Sequence, residues 1–385
     1  MTRSSVAAIC LLVLGGIFVA GLWPFHAPKN EVSWGSHSNG LFFGKYGSIV
    51  SAGVLKPDPQ HADGSCSLEI WLEPRLVASK GTVLGFYLPD GRVVPFAIRQ
   101  YQSGLVFEHP TQDKLRGAKT AVTAVYVDKV FTHQKPVLVT IASNPTGTTV
   151  YADGTMLRKF VDFRISRQDL TGRLVVGNAP VAANSWSGRF RGLAIYDREL
   201  TADEVSQHFS NWMQSEQLDG AGNDGPAALY LFNEGGGNVV RNQVDSSTGL
   251  LIPERFFVLH GQFLERPWDE YRPGWHYWKN VGINIAGFIP LGFFFCAYIS
   301  CLRDGNGAVA KTIAVGFIVS LTIEVLQAFL PTRDSGMTDL MTNSLGTALG
   351  VMVFRWLENL QPEMVLKLRG RIQPEFHRQV LSIKP

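Results

Sequence analysis

Cysteine is scarce and poorly placed for cross-linking. Of four in 385 residues, Cys10, Cys296 and Cys301 lie within or at the end of apolar runs, and only Cys66 falls in the polar middle of the chain. No disulfide can close within that middle, and no cysteine–histidine spacing suits a metal. Cys66 is expected to be a small buried apolar residue. Excess charge is missing too. Lys and Arg number 35 against 32 Asp and Glu, a net +3, which leaves no electrostatic footprint for nucleic acid. From Val32 to about Phe232 there is no long apolar run, and no helical periodicity before Thr201, which excludes a membrane span there and disfavours a helical bundle.

The hydrophobic residues, 45% of the chain, are concentrated at its two ends. Ser5–Trp23 is an uncharged apolar run. Val281–Leu302, Ala308–Leu330 and Leu340–Leu357 follow, interrupted by charge only at Lys311, Glu324 and Arg355. Each is about long enough to cross a ~30 Å hydrocarbon layer, so four spans are expected around a polar middle. Arg3, Arg303, Lys311 and a tail with Lys367, Arg369, Arg371, Arg378 and Lys384 fall on one side in that arrangement. The positive-inside rule makes that side cytoplasmic and places Pro24 to about Trp278 outside. A cleaved signal peptide is the alternative reading of the first run, and it too exports the middle.

The exported stretch is a succession of short β-rich runs. SLEIWLEP alternates strictly, with Leu68, Ile70 and Leu72 on one face and Glu69, Trp71 and Glu73 on the other. LVTIAS, TTVYADG, RLVVGNA and GLAIYD follow, with turn residues at Pro145-Thr146-Gly147 and Asp153-Gly154. A helical pattern begins only at TADEV, where Thr201 and Glu204 have capping-box spacing. Many short strands and no long helix predict an antiparallel sandwich.

Tyr151-Ala152-Asp153-Gly154, Trp186-x-Gly188, the block Ala194-Ile195-Tyr196-Asp197-Arg198 and Leu200-Thr201-x-x-Glu204-Val205 together resemble a laminin G-like, concanavalin A-type jelly roll. LYLFNEGGGN, Leu229–Asn238, resembles a further element of the same modules. The resemblance implies a glycan or a protein as partner and leaves the ligand residues of the jelly roll open. Trp34 and Trp186 are aromatics that could stack on a sugar, Trp186 being more often core in this motif. A glycosidase of this fold needs an acid, a second acid two residues on and a third three further; here Glu69 is followed by Trp71 and Pro74, so that activity is not expected. Relatives of this kind also bind calcium through loop oxygens. Asp90, Asp153 and Asn178 are the loop candidates for it, although an Asp-Gly pair is also an ordinary turn; no other cofactor is expected.

Trp268, Tyr271, Trp275, Tyr277 and Trp278 crowd the approach to the second apolar run, the composition of an interfacial belt against membrane lipid. Asn284-x-x-Gly287-x-x-Pro290-x-Gly292 follows. Glu324 and Gln327 sit three apart, Arg333 lies in a short link, and Asp339-x-x-x-Asn343 opens a helix with Gly346 and Gly350. This series resembles the VanZ-like membrane family, which is associated with reduced susceptibility to glycopeptide antibiotics. The resemblance extends to Leu22-Trp23-Pro24-Phe25, and its departures are an insertion and a basic tail.

The fold class expected is therefore multi-domain α+β, an extracytoplasmic antiparallel jelly roll inserted into a four-helix transmembrane bundle. The parts are a first helix at 1–25, the jelly roll at 32–235, an interfacial linker at 236–279, three VanZ-like helices at 280–360 and a basic cytoplasmic tail at 361–385. A charged side chain facing lipid would cost roughly 2.5–3.5 kcal/mol. Glu324, Gln327, Arg333, Asp339 and Asn343, with Asn284, are therefore expected to converge on one outward recess. Gly287, Pro290, Gly292, Gly346 and Gly350 are the expected helix-packing positions. That recess is a ligand pocket, a catalytic site with Glu324 or Asp339 as acid or base, or a purely architectural network. The whole reads as a bacterial plasma-membrane protein of the cell envelope.

The charge argument has a direct check. Alkaline phosphatase fused after Phe232 should be active and fused after Pro385 inactive; the reverse pattern would overturn the orientation.

Overall fold

The computed structural model describes residues 3–35, 39–56, 64–89, 93–110, 122–215, 225–261, 263–271, 274–300 and 307–360. The chain divides into two compact units. One comprises Met1–His26 with Gly261–Pro385, and the other Ala27–His260. The basic tail expected at 361–385 lies outside the described residues.

The second unit is a β-sandwich. With strands numbered along the chain, one sheet runs β1 (Val32–Trp34), β2 (Leu41–Phe43), β13 (Gly188–Tyr196), β4 (Cys66–Pro74), β9 (Val137–Asn144), β10 (Gly147–Ala152) and β11 (Thr155–Phe160), with β14 (Ala228–Tyr230) also on β13. The other runs β15 (Val239–Val240), β16 (Leu250–Leu251), β3 (Ile49–Ser51), β12 (Arg173–Val176), β5 (Ser79–Tyr87), β6 (Ala97–Gln102), β7 (Gly104–Pro110) and β8 (Val122–Val127). Pairing within both sheets is antiparallel throughout. The alternation of β4 sends Leu68, Ile70 and Leu72 into the layer between the sheets, where they meet Phe86, Ile98 and Phe107. Trp186 is fully buried there and donates its indole N–H to Gln100 Oε1 at 2.7 Å, so it has no sugar-stacking face. Trp34 is partly buried and donates to the Gly237 carbonyl.

The other face of β4 is not left to water. Helix α2 (Ala202–Ser215) lies over it, packing Val205 and Trp212 against Trp71, Tyr151 and Tyr196. Thr201 and Glu204 cap α2 reciprocally: Glu204 N–H donates to Thr201 Oγ1, and Glu204 Oε2 accepts from the Thr201 N–H. At the β10–β11 turn Asp153 and Gly154 both have positive φ, +49° and +76°, the twist a two-residue hairpin requires. The sandwich continues past residue 235, the end expected from sequence. β15 and β16 extend the second sheet, Tyr230 donates its hydroxyl to the Thr248 carbonyl, and Phe256 is buried.

The first unit is helical: α1 (Arg3–Leu22), α3 (Pro267–Glu270), α4 (Trp275–Ser300), α5 (Ala308–Gln327) and α6 (Met337–Leu360). Side chains of α1, including Val13, Ile17 and Phe18, pack on Phe288 and Leu291 of α4 and Val319 and Ile323 of α5. α4 and α6 meet backbone to backbone. A Cβ at Gly346 would lie 2.2 Å from the Ile285 carbonyl oxygen, one at Gly350 2.1 Å from that of Ile289, and one at Gly292 2.0 Å from that of Thr347. Gly287, by contrast, faces open space, and Pro290 sits inside α4.

Among the described residues three helices are long and apolar enough to cross a membrane: α1 from Ser4, α4 and α5. The fourth span expected from sequence, at α6, does not meet that measure. α6 has the length, but Thr338, Asp339, Thr342, Asn343, Ser344, Thr347, Arg355 and Glu358 dilute its apolar content.

Glu204 supplies a pH test of the sandwich. Its bond to Arg198, then those to the Thr201 backbone and hydroxyl, hold its carboxyl near 2 against an ordinary 4.5. The folded value is depressed, so this stabilisation is complete above pH ~4.5 and is lost as pH falls toward 2. In a purified Ala27–His260 fragment, which carries its own core, Glu204→Gln should cost about 0.5–1 kcal/mol at pH 7. The gap to wild type should narrow as pH falls toward ~2 and close only below it. A gap independent of pH, measured by thermal denaturation, would refute the capping role.

Candidate functional site

The polar residues singled out in the helices gather at one end of the first unit, where α1 and α5 finish and α4 and α6 begin. Glu324, in the last turn of α5, is 1% exposed, and its Oε2 accepts from the Gly336 N–H at 2.8 Å. Asp339, in the first turn of α6, accepts from Asn284 Nδ2 at 2.7 Å. One turn deeper, Asn343 Nδ2 donates to Ser320 Oγ at 3.0 Å. Gln327 Nε2 donates to the Gly21 carbonyl at 2.8 Å, and the Arg333 guanidinium donates to the Trp23 carbonyl.

Each side chain thus has its own local partner, and no ion pair within 4.0 Å joins Arg333 to a carboxylate among the described residues. Arg333 acts on Asp339 through space. The electrostatic neighbours of Glu324 include Asp339 and Glu270. Glu270 was not visible as a site residue, being one of two acids in an aromatic stretch. It closes α3, and its Oε2 accepts from the Thr338 N–H at 3.1 Å. Desolvation raises its pKa above the usual carboxylate value. No sequence spacing relates it to α6.

In the sandwich, the carboxylate nearest the glycosidase position is sequestered. Glu69 is fully buried beneath α2 and accepts from Thr140 Oγ1, Tyr196 Oη and His208 Nδ1, each at 3.1 Å. A carboxylate only accepts, so Nδ1 is the protonated nitrogen of His208. Burial first, and the Glu69 charge second, push the Tyr196 phenol far above its ordinary value. This cluster pins α2 to the sheet and offers no access to a substrate.

Two of the loop candidates for calcium hold hydrogen bonds within the fold. Asp153 Oδ1 accepts from the Leu138 N–H at 2.9 Å, and burial raises its carboxyl. Asn178 Oδ1 accepts from the Asn184 N–H and the Ser185 hydroxyl. Asp90 lies outside the described residues. Among the described residues, no three His, Cys, Asp or Glu side chains are grouped to hold a metal ion.

A groove of about 640 Å³ at the β1–β2 edge of the sandwich was not foreseen. Its walls include Glu31, Phe42, Glu73, Arg75 and Arg189. Phe42 is 44% exposed, and the Arg189 guanidinium lies over its ring, 4.8 Å from the centroid. Gly188 forms part of the wall and has no room for a side chain, because a Cβ would meet the Trp186 ring at 2.3 Å.

Residues 229–358 match the family model VanZ/LLP1, and residues 47–206 match that of the concanavalin A-like lectin/glucanases superfamily. The chain is thus similar to the first family over one segment and to the second over another, each match covering less than half of its length. The VanZ-like match starts in the sandwich, at β14, and does not reach α1. Among solved structures, the chain is similar to a Bacteroides ovatus protein described as carbohydrate binding, at 14% identity and TM-score 0.38, covering 57% of this chain and 61% of that one. The receptor-binding domain of a botulinum neurotoxin C/D mosaic serotype is 11% identical, TM-score 0.35, over 48% and 46%. The Ruminococcus gnavus IT-sialidase CBM40 bound to α2,3-sialyllactose is 11% identical, TM-score 0.33, over 44% and 95%. The chain spans less than two thirds of the first two. No curated protein matches it.

Replacing Glu69 by Leu would strand three donors in a dry site. That should destabilise the Ala27–His260 fragment by about 3 kcal/mol, read from chemical denaturation. A near-neutral result would show that α2 is not held by this cluster.

Proposed function

We propose that this is a bacterial cell-envelope membrane protein that binds a glycan through its exported jelly roll. In this reading both termini are cytoplasmic, the jelly roll is inserted between α1 and the three later helices of a four-helix bundle, and the polar end of that bundle opens outward. The observation that carries it is the groove at β1–β2. An exposed aromatic ring gives a sugar an apolar surface, and planar carboxylate and guanidinium groups beside it suit paired hydroxyls. The lectin-like family match sets the class of domain but not the ligand, because one fold hosts many functions. A protein partner in the same groove is the competing occupant.

A screen of glycans and cell-wall fragments against the Ala27–His260 fragment tests this. Phe42→Ala should weaken a hit at least ten-fold, about 1.4 kcal/mol, without altering the thermal midpoint. No glycan hit, or a hit indifferent to Phe42, would remove the reading.

A second reading rests on the carboxylates themselves. It makes the helical unit a membrane enzyme acting on a lipid-linked or wall precursor, with Glu324 or Asp339 moving the proton and Arg333 clamping an anionic group. Glu324→Gln should then abolish turnover while the protein remains folded. A role in glycopeptide susceptibility belongs to either reading and would appear as a changed inhibitory concentration when the protein is deleted.

A further inference from the structure

The outward face of the first sheet is only partly covered. Alternation along β4 puts Glu69, Trp71 and Glu73 on that face. Helix α2 reaches the first two, whereas Glu73 is left in the wall of the β1–β2 groove. From Glu73 the pairing lays out one row across four strands. Glu73 faces Arg189 on β13, Arg189 faces Phe42 on β2, and Phe42 faces Ser33 on β1. All four line the groove, and directly opposed side chains of this kind stand about 5 Å apart.

The carboxylates of the groove are already answered within the fold. Glu73 meets the Arg191 guanidinium at 3.5 Å, and Glu31 Oε2 accepts from the Tyr46 N–H at 3.4 Å. Arg189 is engaged as well: it is 7% exposed, lies over the Phe42 ring and donates to the Asn39 carbonyl. Lys29 and Arg75 differ. Both are exposed and line the groove. Among the described residues, no hydrogen bond, ion pair or ring contact holds the Lys29 ammonium or the Arg75 guanidinium. Lys29, Arg75 and Arg189 stand against Glu31 and Glu73 in the lining, and Arg191 beside Glu73 raises the local excess of positive charge to two.

A neutral sugar needs an apolar surface and a few hydrogen-bond partners, and Phe42 with its polar neighbours supplies those. It gives the two uncommitted cations nothing to bind. A carboxylate, sulfate or phosphate does, because an oxyanion takes charge-assisted hydrogen bonds from guanidinium and ammonium alike. We infer that the groove binds an acidic sugar, its ring resting on Phe42 and its anionic group held by Lys29 and Arg75. The inference deepens the glycan reading of this groove and rests on it.

The test uses the full chain in nanodiscs of phosphatidylcholine, a lipid without net charge, and titration calorimetry. Tetragalacturonate presents carboxylates, sulfated chitotetraose presents sulfates, and pentamannose phosphate presents a phosphate. Galactotetraose, chitotetraose and mannopentaose are their neutral counterparts, and tetra-aspartate is an anion without a sugar. An acidic probe should bind about ten-fold or more tighter than its neutral counterpart and than tetra-aspartate, and which of the three does so identifies the anion. Its advantage should shrink as sodium chloride is raised from about 50 to 300 mM. Lys29→Gln combined with Arg75→Gln alters two exposed side chains, so the thermal midpoint should stay where it is. The acidic probe should nonetheless fall to the affinity of its neutral counterpart. Phe42→Ala should weaken both members of the pair alike.

Neutral probes that bind as tightly as acidic ones, and weaken with Phe42→Ala, would keep the glycan reading and overturn the acidic class. Tetra-aspartate binding as tightly as the acidic sugar would reduce the groove to a charged patch and overturn the inference. An acidic preference that survives Lys29→Gln with Arg75→Gln would place the anion elsewhere and overturn the assignment. No binding by any probe would overturn both the inference and the reading beneath it.

Discussion

A carboxylate can be taken out of water only where donors or a counter-charge wait for it, and both units are organised around that requirement. In the sandwich, Glu69 sits under α2 with three donors converging on it from β9, β13 and α2. The helix is in effect folded around the carboxylate. In the helical unit the demand is stronger, because lipid cannot supply hydrogen bonds where the helices are immersed. Gly336, Asn284 and Thr338 each give one donor to one acid. The link between α5 and α6 is bent so that its backbone points at Glu324.

Close approach makes that arrangement possible. Gly292, Gly346 and Gly350 leave out the side chain at three points where the backbones of α4 and α6 touch, and Asn284 on α4 reaches Asp339 on α6. In the sandwich the same economy of volume appears at Gly188 and Gly192, whose absent side chains leave room for Trp186 and Trp212. Glycine here marks contact rather than flexibility.

Local pattern made part of this legible in the sequence. The alternation of β4 set its core face, the Thr201–Glu204 spacing set a helix start, and the three- and four-residue intervals put each polar pair on one helix face. Relations between distant segments were not legible. Nothing in SLEIWLEP says that a helix 130 residues later covers Glu69. The pairing of Asp339 with Asn284, and of Arg333 with the Trp23 carbonyl just past the end of α1, depends on which helices are neighbours. The apolar run Leu340–Leu357 suggested a fourth span, whereas the threonines and serines of α6, which bond back to their own helix, lower its apolar content. The groove could not be read at all, since Phe42, Glu73 and Arg189 come together only through strand order.

The discontinuity of the helical unit bears on its biosynthesis. Gln327 donates to the carbonyl of Gly21, 306 residues earlier, and the apolar face of α1 packs on α4 and α5. At ~5–20 residues per second a ribosome takes roughly 15–60 s to travel that distance. For that interval α1 exists without its partners while the whole sandwich is being made. The apolar face of α1 must wait for α4 and α5, so the helical unit cannot be completed before α5 has been made.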